Sequence, residues 1–182
     1  MLVPLIAAFS LAITPRDTTT LPIAIETPTV SHTPVVGIKS AVIADSAVVE
    51  KAKHRLTLYL EGSEVRTYQI ALGTQPRGDK VRAGDGRTPE GLFHIDAHNP
   101  NSKYYKSLHI SYPDPAHLAR AEALGVSPGG DIMIHGLPPA FASLGSTHTK
   151  WDWTEGCIAV TDQQIDEIWR ALPDGAPILI KP

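Results

Sequence analysis

Between residues 55 and 72 the chain alternates. Leu56, Leu58 and Leu60 are interleaved with Thr57 and Tyr59. After Glu61-Gly62-Ser63-Glu64, Tyr68, Ile70 and Leu72 are interleaved with Thr67, Gln69 and Ala71. A period of two belongs to a strand with one buried face, and two such runs flanking a glycine-bearing turn predict a hairpin. Sixteen prolines, fourteen glycines and an aromatic share of 6% favour a turn-rich β fold over a helical bundle. At 182 residues the chain can bury one core, with or without a tail.

Further short strands are expected at 91–97, 107–112, 131–135 and 177–180. Asp114-Pro115 predicts a helix start, an Asp cap before a proline in the first turn, with Gly125 as its C-terminal stop. Thr161-Asp162-Gln163-Gln164 reads as a capping box, and Ile165, Ile168, Trp169 and Leu172 follow on a single face. The expected fold is therefore mainly β, a β-rich sandwich or distorted barrel with one or two short packed helices. Residues 73–88 are polar, glycine-rich and too long for a hairpin loop, which marks a functional surface.

Residues 2–13 are apolar and contain Ala7, Ala8 and Ala12, as in the apolar region of a secretory signal. The stretch is too short to span a bilayer comfortably, and Arg16 follows it rather than precedes it. Threonine and proline then dominate without periodicity. The expected organisation is a signal or signal-anchor at 1–13, a linker at 14–47 and one folded domain at 48–182. A net charge of −3 and a pI near 6.2 argue against nucleic acid as a partner. The membrane is met only through an N-terminal anchor, and the domain is expected to be a monomer. One cysteine excludes an intrachain disulfide framework and a multi-cysteine zinc site.

That cysteine, Cys157, lies in Thr154-Glu155-Gly156-Cys157-Ile158-Ala159-Val160, downstream of Ile132-Met133-Ile134-His135-Gly136. A thiol acts as a nucleophile when a base takes its proton and N–H groups hold the oxyanion that its attack creates. Ile132 and Ile134 share a strand face, so Met133 and His135 take the other, with His135 at a rim where Gly136 ends the strand. The eighteen residues between His135 and Thr154 carry Pro138, Pro139, Gly145, Trp151 and Trp153 and are long enough to form a lid. The bland alternative is a buried structural thiol and a core histidine. Zinc on His135, His148 and Cys157 is the other alternative, and it lacks tight ligand spacing. Acyl transfer without metal or cofactor is the favoured chemistry. Arg82 and Arg87 are candidates for holding a substrate carboxylate, and Trp151 and Trp153 for stacking on substrate or pinning the lid. Among the remaining histidines His109 has the best claim, and Thr154 is expected to shape the nucleophile loop.

A strand ending in His-Gly, an insert, and Thr-Glu-Gly-Cys before a helix together resemble the L,D-transpeptidase catalytic domain (YkuD-type) family. Thr88-Pro89-Glu90-Gly91-Leu92-Phe93 resembles that family's Thr-Pro-x-Gly-x-Phe segment, and Ser107-Leu108-His109-Ile110-Ser111-Tyr112-Pro113 its next strand in one branch. The resemblance covers residues 48–182. It implies cysteine-dependent acyl transfer on peptidoglycan stem peptides, outside the cytoplasm in the periplasm or cell envelope. It further implies Cys157 as nucleophile, His135 as base and later acid, and the Gly136 carbonyl as the group fixing the imidazole tautomer. The N–H groups of Gly156 and Cys157 become the oxyanion donors, with Thr154, Arg87, His109 and Trp151 as substrate-binding candidates. Glu155 and Ala159 depart from the family's commonest residues, histidine and arginine or asparagine. The alternatives are a hydrolase using the same acylation step, either carboxypeptidase or amidase, and a catalytically silent wall-binding module. The Cys157 sulfur is expected within about 4 Å of a His135 ring nitrogen, partly exposed, and titrating below a free thiol.

Overall fold

The computed structural model describes residues 42–182. The signal expected at 1–13 and the linker from 14 to 41 lie outside the described residues. Eight strands form one sheet: β1 Ser46–Glu50, β2 Arg55–Leu60, β3 Ser63–Gln69, β4 Gly91–Ser102, β5 Tyr105–Ile110, β6 Met133–His135, β7 Ile158–Ala159 and β8 Pro177–Lys181. Their order is β3-β2-β1-β8-β4-β5-β6-β7. Two α-helices accompany them among the described residues, α1 Pro115–Ala123 and α2 Asp162–Ala171, with 3-10 turns at Lys51–Lys53 and Pro139–Lys150.

The sheet curls until its ends meet. After β3 the chain runs on to bridge the opposite edge, Ala71 against Ala159 and Gly73 against Thr154. Ala71 and Ala159 exchange N–H···O bonds of 3.0 and 2.8 Å. This closure makes the mainly β fold a distorted barrel, and it explains why Ala71 and Leu72 are both buried although they alternate. It also carries residues 71–74 to the loop before β7, where Thr74 N–H donates to the Thr154 carbonyl at 2.9 Å.

The expected hairpin is β2–β3, antiparallel from Arg55↔Gln69 to Leu60↔Ser63. Leu56 and Leu58 are fully buried, whereas Leu60 is 37% exposed. A register shift at Leu58/Tyr59 breaks the alternation, and Leu60 sits at the turn, past the core. Strand β4 outruns its expected end by five residues, reaching Ser102 rather than residue 97. The extra stretch, His98-Asn99-Pro100-Asn101-Ser102, has no apolar alternation and is held by pairing to β5. It ends in a two-residue connection, Lys103-Tyr104, that returns over the candidate site.

The helices follow their caps. Asp114 Oδ1 accepts the His117 N–H at 2.8 Å. Thr161 and Gln164 complete a reciprocal capping box on α2. Ile165, Ile168 and Leu172 are buried and pack α2 toward β5 and β6, joining Phe93, Leu108, Ile134, Ile158 and Ile178 in one core. Burying each such side chain contributes about 1.5–3 kcal/mol. The helix thereby fixes β6, the strand that bears His135, and its neighbour β5.

Candidate active site

Strand register builds the site. Across β5, β6 and β7, Ser107 pairs with His135 and His135 with Ala159. One step along, His109 pairs with Met133, and Cys157 directly precedes Ile158, the partner of Ile134. A side-chain period of two puts Cys157, Met133 and His109 in one row and Ala159, His135 and Ser107 in the next, all on one face. Thiol and imidazole are therefore neighbours on one surface of the sheet.

His135 is 1% exposed, not at an open rim. The Tyr104 ring stacks on it at 4.3 Å, and Trp153 meets it edge-on at 5.8 Å. Trp153 is backed by Phe141 at 5.0 Å and by His148, whose Nδ1 accepts the indole N–H at 3.5 Å. Strand period alone reaches only as far as the strand end, and these covering groups come from elsewhere in the chain. Nδ1 of His135 lies 2.7 Å from the Gly136 carbonyl oxygen. A carbonyl only accepts, so Nδ1 carries the hydrogen and Nε2 keeps a lone pair. Burial pushes the imidazole down to about 4, the charges of His148 and Lys103 act in the same direction, and the Gly136 bond opposes them. At neutral pH His135 is an uncharged base. Gly136 admits this packing, because a Cβ there would lie 2.7 Å from Asp162 Oδ1 and 2.9 Å from the Tyr104 carbonyl.

Cys157 is half-buried, and its thiol donates to the Asp131 carbonyl at 3.4 Å. Burial pushes the thiol up, against the pull of the Met133 N–H and the positive charges of Lys80 and Lys103. The expected low-titrating thiol is thus reversed: desolvation outweighs the cations. Among the described residues no hydrogen bond joins the sulfur to His135. The resting pair is a neutral thiol, held by Asp131, beside a neutral imidazole.

The loop that carries Cys157 is braced from inside. Thr154 Oγ1 donates to the Cys157 carbonyl at 2.7 Å and accepts the Gly156 N–H at 3.2 Å. The Gly156 N–H, expected among the oxyanion donors, is therefore engaged at rest. Gly156 has φ +130°, and a Cβ there would fall 2.5 Å from the Arg87 carbonyl oxygen. Gly156→Ala is expected to lower stability by about 2–3 kcal/mol, from backbone strain plus that clash. Thermal denaturation checks this, and an unchanged midpoint would show that the Arg87 loop yields freely.

Residues 44–180 match the L,D-transpeptidase catalytic domain. The chain belongs to this family. The Escherichia coli (strain K12) protein provisionally named L,D-transpeptidase YafK is 31% identical over 126 residues, 66% of this chain. The chain spans 44% of that relative's length. In fold it resembles the helical cell shape determining protein Pgp2 of Campylobacter jejuni, at TM-score 0.57 and 22% identity, covering 80% of this chain and 52% of that one. Bd1075 of Bdellovibrio bacteriovorus is similar at TM-score 0.53 and 18% identity, over 76% of this chain and 48% of that one.

Within this L,D-transpeptidase domain the other candidates separate. The Arg87 side chain turns away, donating to the Asp79 carbonyl at 3.2 Å, while its own carbonyl crowds Gly156. Arg82 is exposed. His109 shares the row of Cys157, with Nδ1 at 2.5 Å from Asp96 and Nε2 at 3.9 Å from Asp131. Trp151 is 43% exposed, beside Asp152, which accepts the Leu72 N–H and pairs with His54. Glu155 is exposed, and Ala159 is fully buried beneath the Ala71 bridge. No group of three His, Cys, Asp or Glu side chains able to hold a metal forms among the described residues, so the His135, His148, Cys157 zinc set is not assembled. Sequence reasoning missed Tyr104, Lys103 and the Asp131 carbonyl. The only signal for the first two was Lys103-Tyr104-Tyr105-Lys106, an aromatic and basic run between two expected strands.

Proposed function

We propose that this domain transfers acyl groups of peptidoglycan stem peptides through Cys157, cutting the bond that follows a diaminopimelate centre and passing the acyl group to an amine. The observation that carries this reading is the neutral His135, its Nε2 lone pair fixed by the Gly136 bond, on the same sheet face as the thiol. Because both groups rest neutral, proton transfer accompanies attack and no standing thiolate pair precedes it.

The thiol leaves Asp131 and gives its proton to His135 Nε2 as sulfur adds to the substrate carbonyl carbon. The oxygen becomes an oxyanion facing the Cys157 N–H; such a donor contributes on the order of 3 kcal/mol to the transition state. The C–N bond then breaks, the proton passes from His135 to the leaving nitrogen, and a thioester remains. An incoming amine loses its proton to His135 as it attacks the thioester, and the departing sulfur takes that proton back.

An amine acceptor is favoured over water because Tyr104, Trp153 and the insert behind Trp153 bury the base. The substrate class locates the work in the periplasm or cell envelope, with residues 1–13 as the export segment, 14–47 as linker and the domain acting as a monomer. Incubation with diaminopimelate-containing tetrapeptide muropeptides, followed by mass spectrometry, tests the reading. The expected products are a thioester on Cys157, free D-alanine and a dimer joined between diaminopimelate residues. Tripeptide as the sole product would make water the acceptor; no thioester at all would leave a silent wall-binding module.

A further inference from the structure

We propose that Lys103 binds the carboxylate of the amino acid that leaves when Cys157 is acylated. The proposal rests on the acyl-transfer reading above and adds the recognition element for one end of the substrate.

Lys103 and Tyr104 form the tip between β4 and β5. The tip is fixed: Tyr104 N–H donates to Ser102 Oγ at 3.2 Å, and the Tyr104 carbonyl lies against Gly136. The Lys103 ammonium sits 5.2 Å from the Tyr104 ring centroid, and that ring stacks on His135. Cation, aromatic ring and candidate base thus lie in succession. The Lys103 charge acts at both His135 and Cys157, opposing a proton on the imidazole and favouring the thiolate.

Neighbouring cations are already committed. Lys80 pairs with Asp85 at 2.9 Å and Lys106 with Asp166 at 2.6 Å, and Arg87 donates to a backbone carbonyl. Among the described residues no carboxylate lies within ion-pair distance of exposed Lys103. An ammonium held over an aromatic face and left without a counter-charge suits an anionic ligand.

The chemistry fixes which anion. The leaving nitrogen must meet His135 Nε2 to receive its proton. In an α-amino acid leaving group the carboxylate carbon is two bonds from that nitrogen. Wherever the nitrogen contacts His135, the carboxylate lies beside it, and Lys103, next to the Tyr104 ring that stacks on His135, is the uncommitted cation proposed to meet it. Arg87, the residue the sequence suggested for this role, points toward Asp79 instead.

The test compares two probes, the tetrapeptide ending in diaminopimelate–D-alanine and the same peptide with a C-terminal carboxamide. Binding is measured by calorimetry on the Cys157→Ala protein, which cannot turn either over, with and without Lys103→Ala or Lys103→Arg. The carboxylate peptide is expected to bind roughly tenfold tighter than the amide. Lys103→Ala should erase that gap, and Lys103→Arg should keep most of it. With Cys157 present, Lys103→Ala should raise KM for the carboxylate peptide by a similar factor and change kcat little. A gap that persists in Lys103→Ala, equal weakening of both peptides, or binding of neither overturns the proposal. Absence of a thioester in the wild-type protein would overturn the catalytic reading alone, since the binding comparison is read without turnover.

Discussion

Cys157→Ser is expected to lose acyl-enzyme formation by at least about a thousandfold while keeping its fold. The resting site explains the depth of the loss. His135 is a weak base, held near 4 by burial, so it can accept a proton only from a group that releases one readily as its bond forms. A thiol meets that demand even when burial raises it; a serine hydroxyl, far harder to ionise, does not. The serine oxygen can still donate to the Asp131 carbonyl that now takes the thiol, so the loop has no reason to rearrange. Glu155→Ala supplies the contrast, since that side chain is exposed and only its backbone belongs to the loop. It should retain activity within a few-fold of wild type. Intact-protein mass spectrometry after mixing with a tetrapeptide stem reads both variants. Serine turnover near the wild-type rate, or a Glu155→Ala loss as deep as that of Cys157→Ser, would remove the thiol–imidazole mechanism.

What the sequence made legible is what local patterns encode. The hairpin of β2 and β3 was visible because its side chains alternate, and α2 because its cap and apolar face lie within a dozen residues. The two-residue strand β7 carries no period. It exists because β6 and Ala71 flank it, which no local window contains. The same limit hid Lys103 and Tyr104, since the polar end of β4 gives no strand signal and its tip reaches His135 only through the folded sheet. The sign of the Cys157 shift was missed for a related reason. Glycine beside a cysteine suggests an open turn, yet the Arg87 backbone closes on Gly156 here, and the thiol beside it is desolvated by burial. Motif order offered His135 and Cys157 as a candidate pair, and the strand register sets them on one sheet face; burial and its electrostatic consequences are set by the covering loops.

That burial has a second consequence, in acid. Unfolded, His135 titrates near 6.5; folded, it titrates near 4. Above pH 6.5 both states hold it neutral, and it adds no pH dependence. As pH falls from 6.5 toward 4 the unfolded chain takes the proton first, so the unfolded state binds more protons and stability declines with falling pH. At ~1.4 kcal/mol per pH unit of separation, the decline amounts to about 3 kcal/mol and levels off below pH 4. His148, buried and also pushed down, adds in the same direction, while the charges facing His135, those of Lys103 and His148, oppose its protonation. Carboxylates act in a lower window. Asp85 is held near 2 by Lys80 and three backbone N–H groups, and its contribution is lost only between its ordinary value of 3.8 and that point. Urea midpoints measured from pH 7 to 4 should therefore fall steadily in the wild-type protein. In His135→Asn the starting stability is lower, but most of the slope between 6.5 and 4 should be gone, with the part due to His148 remaining. Parallel profiles for the two proteins would mean that His135 takes up its proton in the folded state as easily as in water, and the neutral, buried base on which the mechanism depends would have to be abandoned.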